Sequence, residues 1–303
     1  MEIEKNKNIT PYSTFKIKSA SKYFVEPTSE KEIQEAINWA KEKNTPYKIL
    51  GGGSNVVFPD KKFNGLIIKI SNNNIEKISD TKIKAGAGTN LKTLIDNLNN
   101  LGLKGLETLT GIPGTLGGAI VGNAGAYGHS ISEKIKKVNI IQNQKTKTFK
   151  KKECKFKYRD SIFKKQPFVI TSAILNLEKG NFKKLKEKSK KITQKRNKKY
   201  PPNIKSSGCF FKNILTKNIS KKKLQKIDRS KIIDGKIPAG YLLEKVDAKG
   251  MKVGDIQIAN FHSNFFINTG NGTKKEIRNL AEKLKKKVLN RFDLELEEEV
   301  RYF

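Results

Sequence analysis

Apolar residues at Ile33, Ala36, Ile37 and Ala40 recur at helical spacing behind Ser29 and Glu32, a serine and a glutamate three apart that read as a capping box. The pattern predicts a helix from about 30 to 43. Residues 47–50 read as a strand running into Gly51-Gly52-Gly53-Ser54-Asn55, and Val56-Val57-Phe58 is strand-like again, so the glycine run lies between strands. Strands are expected at 65–70, 75–78 and 81–85, then a helix on Leu91, Leu94, Ile95 and Leu98 entered through Thr89 or Asn90. Further strands are expected at 138–141 and 168–177.

A lysine-rich segment from 182 to about 199 carries only sparse apolar positions, Phe182, Leu185 and Ile192, and reads as a solvated helix face ending at Pro201-Pro202. The domain boundary falls near here, giving a first domain at 1–180, with subdomains of about 1–70 and 71–180, and a second at 181–303. In the second, a helix is expected at 239–246, a strand at 265–268, and a helix from Thr273. Thr273 and Glu276 form another capping box, and Ile277, Leu280, Ala281, Leu284 and Val288 supply the buried stripe. At the end, Phe292, Leu294, Leu296, Val300 and Tyr302 alternate with Asp293, Glu295, Glu297, Glu299 and Arg301, which predicts one long strand. The chain stops at Phe303, so no C-terminal tail is expected.

Composition changes this picture little. The 303 residues are long enough for two domains, and 63 Lys+Arg against 29 Asp+Glu give a formal charge of +34. Such a charge invites a nucleic-acid reading. Lysine is spread over nearly every segment, however, and no arginine-rich or aromatic-interleaved stripe stands out, so no specific nucleic-acid partner is expected. A positive field also steers phosphorylated small molecules. The two cysteines, Cys154 and Cys209, support neither a disulfide framework nor a cysteine zinc site, and no metal is expected. The first residues lack a signal peptide's apolar stretch, and no run of about 18 apolar residues exists. A cytoplasmic chain without membrane insertion follows as the expectation.

The chemistry lies in the glycines. Backbone approaches a pyrophosphate closely only where side chains are absent, and Ser54 and Asn55 add side-chain donors to the amides of Gly51, Gly52 and Gly53. Alone, the triplet serves equally as a tight turn. It is neither a Walker loop, since no Gly-Lys-Ser/Thr follows, nor a Rossmann fingerprint, since a strand comes next. Gly86-Ala87-Gly88 precedes a helix, but Leu91 stands where the third glycine belongs. The second segment, TGIPGTLGGAIVGNAGAYG from Thr110 to Gly128, holds seven glycines. Two small-residue loops of this kind can close on one dinucleotide.

These segments, with YSTFKI at 12–17, ILGGGSN at 49–55, GIPGTLGGAIVGNAGAYG at 111–128, YRDSIFK at 158–164, SSGCFFKN at 206–213, IPAGYLLEK at 237–245, HSNFFINTGNGT at 262–273 and LEEEVR at 296–301, resemble the UDP-N-acetylenolpyruvoylglucosamine reductase family over nearly the whole chain. The resemblance implies an α+β chain: a two-part FAD-binding domain of the vanillyl-alcohol-oxidase or PCMH type, then an α+β substrate-binding domain. It implies a UDP-N-acetylmuramate dehydrogenase activity in peptidoglycan precursor synthesis, in which NADPH reduces FAD and flavin N5 passes hydride to the enolpyruvyl ether of a UDP-sugar. Cofactor contacts fall by the same likeness on Gly51, Gly52, Gly53, Ser54, Asn55, Thr110, Gly111, Pro113, Gly114, Thr115, Gly118 and Ala119. Neither glycine loop holds a histidine for covalent attachment, so FAD is expected to bind noncovalently.

By resemblance Arg159 pairs with the substrate carboxylate, Glu299 stabilises the enolate-like intermediate, and Cys209 gives the proton, where the family more often has serine. A thiol with an ordinary pKa of about 8.5 is protonated at pH 7 yet able to give its proton up. Tyr158, Lys212, Asn213, His262 and Asn264 are implied as substrate contacts. The histidine and asparagines serve equally as structural hydrogen-bond partners. Lys18-Ser19 replaces the family's glycine pair and Ile214 its proline. Two other readings stay open on residues alone: a flavin oxidase of some other alcohol or sugar, and a basic binding protein without catalysis. A monomer is the expected state.

Overall fold

A computed structural model describes residues 1–201 and 203–303, so the second half of the Pro201-Pro202 pair lies outside the described residues. The chain is α+β, as expected, and divides into two compact units. The first comprises residues 1–7, 21–52 and 64–198, and the second 8–20, 53–63 and 199–303. The compact units are therefore not contiguous in sequence, and the lysine-rich segment falls with the first.

The first unit contains a five-stranded antiparallel sheet in the order Lys145–Lys150, Ile135–Gln142, Val169–Asn176, Lys82–Gly86, Ile75–Ser79. In its second strand Ile135, Val138, Ile140 and Ile141 are all buried, although strict alternation cannot bring them to one face. A register shift between Ile135 and Lys137 leaves Lys136 as an extra residue and resets the side-chain phase, so that Ile135 lines up with Val138 and Ile140. The outer strand, KTKTFK, is nearly all exposed and carried no hydrophobic signal. A second sheet runs 4–8, 20–25, 62–69, 47–50, with Tyr47–Leu50 parallel to the 62–69 strand.

Four helices accompany these sheets: α1 (Glu30–Glu42), α2 (Leu91–Asn100), α3 (Leu116–Gly122) and α4 (Phe182–Lys199). Ser29 Oγ accepts the Glu32 N–H, but Glu32's carboxylate reaches back to the Thr28 N–H at 2.7 Å rather than completing a reciprocal box. Asn90 is the cap of α2, its Oδ1 accepting the Lys92 and Thr93 N–H groups, a contribution of about 1 kcal/mol. Two of the three apolar positions in the sequence of α4 form its buried face, and the third does not. Leu185, Ser189 and Ile192 are its buried positions, while Phe182 is 45% exposed with Lys186 over its ring.

The second unit is built on an antiparallel sheet, Ser206–Cys209, Phe265–Asn268, Ile256–Ile258, Lys252–Val253. With it go α5 (Lys221–Leu224), α6 (Ala239–Lys245) and α7 (Lys274–Phe292). Both halves of the capping box at Thr273 and Glu276 form, and Ile277, Leu280, Ala281, Leu284 and Val288 are fully buried with Phe266 and Leu242 in one core.

The long terminal strand does not exist. Phe292 closes α7, four residues after Val288 on the same stripe, and Asp293 takes the left-handed conformation that ends it. Beyond it, Leu294, Leu296 and Val300 are buried and Glu295, Glu297 and Arg301 exposed, as the alternation requires. Regular pairing is confined to Arg301–Tyr302, parallel to Val56–Val57, and to one bridge between Phe211 and Glu298. Alternation reports which side of an extended chain meets the core. It says nothing of whether a partner strand runs alongside.

Candidate functional site

In the first unit the two glycine segments meet. A Cβ on Gly51 would lie 2.7 Å from Thr115 Oγ1, and one on Gly52 would lie 2.5 Å from Gly114 Cα, so only glycine lets these backbones pack. The second segment is not a loop throughout. Thr115 caps α3, its Oγ1 accepting the Gly118 N–H, and Ala119 is buried within that helix. Pro113 and Gly118 are exposed, and a Cβ on Gly118 would meet nothing closer than Thr115 Oγ1 at 3.6 Å. Small residues thus serve two purposes: Gly51, Gly52 and Gly114 permit close packing, and Gly118 leaves an open backbone face.

A third run, set aside as a failed dinucleotide fingerprint, anchors the second. Gly117 N–H donates to Ala87 O at 2.8 Å, Leu116 N–H to Thr89 O at 2.9 Å, and Leu91 N–H to Gly114 O at 3.0 Å. Gly88 is in turn held by Asn72 through both its backbone and side-chain oxygens. Ala87 through Leu91 were legible as small and capping residues, but only their pairing reveals the support they give.

Thr110 is buried, with its hydroxyl 2.7 Å from Glu107 O and 3.1 Å from Ser189 Oγ of α4. The next residue, Gly111, would with a Cβ meet the Arg196 side chain at 3.0 Å. Helix α4, read from sequence as a solvated lysine face, is in fact packed on the start of the second glycine segment.

Arg159 sits in a tight turn in which Lys157 N–H donates to Asp160 O and Asp160 N–H to Lys157 O. Its φ is +52°, a conformation non-glycine residues seldom adopt, and Lys164 Nζ donates to its carbonyl at 2.6 Å. Such strain persists only where surrounding bonds over-determine it. Here Asn123 Nδ2 donates to Lys157 O at 2.8 Å and Ser161 Oγ to Val121 O at 2.8 Å, tying the turn to the end of α3. The guanidinium donates to Gly125 O at 2.9 Å and lies 5.5 Å from the Tyr158 ring centroid. The 158–164 motif and the second glycine segment therefore form one substructure.

In the second unit Gly53 has φ +66° and is backed by Tyr12 O, while Thr14 N–H donates to Gly53 O at 3.1 Å. Ser54 is half-buried. Cys209, also half-buried, ends the Ser206–Cys209 strand opposite Phe265. Gly208 before it has φ +81° with nothing within 4 Å of a Cβ, and Ser206 Oγ accepts its N–H. Phe210 N–H donates to Asn264 O, and Phe210 O accepts the Glu299 N–H at 2.8 Å. The backbone of Glu299 is thus tied to the residue that follows Cys209. The Ser207 hydroxyl is buried and makes no hydrogen bond among the described residues, which the sequence reading had not singled out.

The remaining residues divide. Lys212 is ion-paired with Glu297 and only 14% exposed. Asn213 Oδ1 accepts the Ala239 N–H at the start of α6. Asn264 places both ends of its carboxamide on Phe211, Oδ1 accepting its N–H at 2.9 Å and Nδ2 donating to its O at 2.8 Å. His262 Nδ1 accepts the Asn264 N–H at 3.1 Å, and burial, with Lys199 nearby, drives its pKa down to about 4. The ring is therefore neutral, with its proton on Nε2. It lies beside Tyr200, which stacks on Phe265 at 4.8 Å. Among the described residues no cluster of His, Cys, Asp or Glu could hold a metal, and no helix is long and apolar enough to cross a membrane.

A family model described as a FAD binding domain matches residues 21–144, which span both glycine segments. The first unit is thus that of a flavoprotein, and the packing of Gly51 and Gly52 on Gly114 beside the open face of Gly118 fits such a cofactor. The chain belongs to the UDP-N-acetylenolpyruvoylglucosamine reductase family. A model of that reductase's C-terminal domain matches residues 199–303. A reductase of this name from Solibacter usitatus is 39% identical over 292 residues, covering 96% of this chain and 93% of the relative. One from Borrelia garinii is 38% identical over 98% of this chain and 92% of the relative. The crystal structure of UDP-N-acetylenolpyruvylglucosamine reductase from Thermus caldophilus superposes with a TM-score of 0.80 at 25% identity, covering 100% of this chain and 99% of that one.

Proposed function

We propose that this protein reduces enolpyruvyl-UDP-N-acetylglucosamine to UDP-N-acetylmuramate for peptidoglycan precursor synthesis, using NADPH and noncovalent FAD, as a cytoplasmic monomer. Residues 1–180 bind FAD and 181–303 bind the UDP-sugar. FAD, when bound, supplies reversible two-electron hydride chemistry. The backbone of Gly51–Gly53 and Gly111–Gly118, with Ser54, Thr110, Pro113, Thr115 and Ala119 shaping it, holds that group.

The observation that carries the reading is the 2.8 Å bond from Glu299 N–H to Phe210 O, which ties the backbone of Glu299 to the residue after Cys209. Reducing the enolpyruvyl double bond adds hydride at the terminal carbon and leaves negative charge on the carbon beside the carboxylate. That charge must be stabilised and quenched. Arg159 binds the carboxylate, Glu299 stabilises the developing enolate, and the Cys209 thiol passes its proton to the carbon. Tyr158 and Lys212 contact the substrate directly, while Asn213, His262 and Asn264 act through the backbone they hold.

The test is anaerobic. Photoreduced protein is mixed with the enolpyruvyl substrate and flavin reoxidation is followed. Fast reoxidation in the wild type and a loss of about 10²–10⁴-fold in Cys209→Ala is expected for loss of a general acid. A purified protein that takes up no FAD, or a Cys209→Ala variant at the wild-type rate, would refute the assignment.

A further inference from the structure

Asn55 closes the first glycine run, where its carboxamide reads as a donor to phosphate. The structure gives it another task. Asn55 Nδ2 donates to the Glu299 carbonyl at 3.0 Å, and Asn55 O accepts the Arg301 N–H at 3.1 Å. On its other side, Glu299 donates its own N–H to Phe210 O at 2.8 Å. Both backbone polar groups of Glu299 are therefore held, the N–H by the segment that carries Cys209 and the C=O by an asparagine side chain.

Strand pairing provides only the N–H half of this clamp, through the bridge between Phe211 and Glu298. The parallel ladder starts only at Arg301 opposite Val56, and the bridge on the other flank ends at Glu298. Glu299 falls in the gap between the two, where a side chain must replace the missing ladder bond. With both peptide groups fixed, the Cα of Glu299 cannot drift and its carboxylate moves only by side-chain rotation. Misplacement of a catalytic group by about 1 Å costs roughly 100-fold in rate.

We infer that Asn55 is a positioning residue for Glu299, the group that stabilises the developing enolate. The inference rests on the reading above, in which Glu299 acts on the substrate. It implies that substitution of Asn55 affects the half-reaction with substrate and leaves flavin binding and flavin reduction alone.

The experiment compares Asn55→Ala and Asn55→Asp with Glu299→Gln. FAD affinity is measured by fluorescence titration of apoprotein, flavin reduction with NADPH, and reoxidation of photoreduced enzyme by the enolpyruvyl substrate across pH. Asn55→Asp keeps the shape and loses the donor, so it carries the comparison if the alanine variant folds poorly. Reoxidation is expected to slow about 10–100-fold in both Asn55 variants, with its pH profile displaced and with FAD affinity and flavin reduction within about threefold. A rise of tenfold or more in the FAD Kd with normal reoxidation at saturating FAD would make Asn55 a phosphate ligand and overturn the inference. Normal values throughout would overturn it too. Glu299→Gln at the wild-type rate would instead refute the role of Glu299 itself, and the inference with it.

Discussion

Ser189 of α4 and Thr110 at the head of the second glycine segment lie with their hydroxyl oxygens 3.1 Å apart, both almost fully buried. Asn99 Nδ2 donates to Ser189 at 2.9 Å, and the shortest contact of Thr110 is to Glu107 O at 2.7 Å. Each hydroxyl has one hydrogen to give, so a consistent chain runs from Asn99 through Ser189 and Thr110 to the Glu107 carbonyl. Lys188 completes the contact from the surface by pairing with Glu107 at 2.8 Å. A helix of lysines on its outer side thus holds the head of the second glycine segment through one serine on its inner side.

Ser189→Ala breaks that chain and leaves buried amide and hydroxyl groups short of a partner. The expected cost is about 1–3 kcal/mol of stability, together with a several-fold loss in FAD affinity. Thermal denaturation of apoprotein and FAD titration measure the two effects. Lys190→Ala, on the exposed face of the same helix, should change neither.

Gly52→Ala and Gly118→Ala separate the two uses of glycine. The first places a Cβ 2.5 Å from Gly114 Cα and must push the segments apart, so the protein should purify without flavin and with lowered thermal stability. The second meets only Thr115 Oγ1 at 3.6 Å. Replacing a helical glycine there should raise apoprotein stability by about 0.5–1 kcal/mol while weakening FAD binding, if its open face meets the cofactor. Equal behaviour of the two variants would contradict this division.

His262 makes stability depend on pH. Its ordinary pKa of 6.5 falls to about 4 in the folded protein because the ring is buried. Between those values the unfolded chain takes up a proton that the folded one refuses, so stability falls as pH drops from about 6.5 to about 4 and the loss is complete below that. The full loss is at most roughly 3 kcal/mol. His262→Asn retains an acceptor for the Asn264 N–H without the titration, and its urea midpoint should decline less than that of the wild type over this window.

The two thiols should separate in alkylation. Burial, aided by the neighbouring Glu153 charge, pushes the Cys154 pKa up to about 12, and its Sγ lies 3.5 Å from Lys150 O. Iodoacetamide at pH 8 should modify Cys209 alone in the native protein and both thiols in denaturant, as read by peptide mass mapping. Modification of Cys154 in the native state would contradict the buried environment.

Much of the architecture was legible because its signals are local. The Thr273–Glu276 box and the stripe from Ile277 to Val288 specify a helix whatever surrounds them, and Asn90 can cap α2 wherever that helix lies. Elements whose partners are distant were missed or misread. The strand 145–150 has no apolar side and exists because its neighbour at 135–142 offers an edge. The run from Phe292 to Tyr302 alternates as a strand does, yet Phe292 belongs to the stripe of α7, and most of the run finds no ladder.

The site divides along the same line. The amino-acid sequence alone determined the glycine-rich segments, the motif around Arg159 and the motifs that carry Cys209 and Glu299, because backbone access and acid–base capacity belong to residue types. Only the tertiary structure decided which glycines pack and which stay open, that Ser189 supports Thr110, and that Asn55 fixes Glu299. Those are relations between residues 79 and 244 positions apart, set by how the chain folds back on itself.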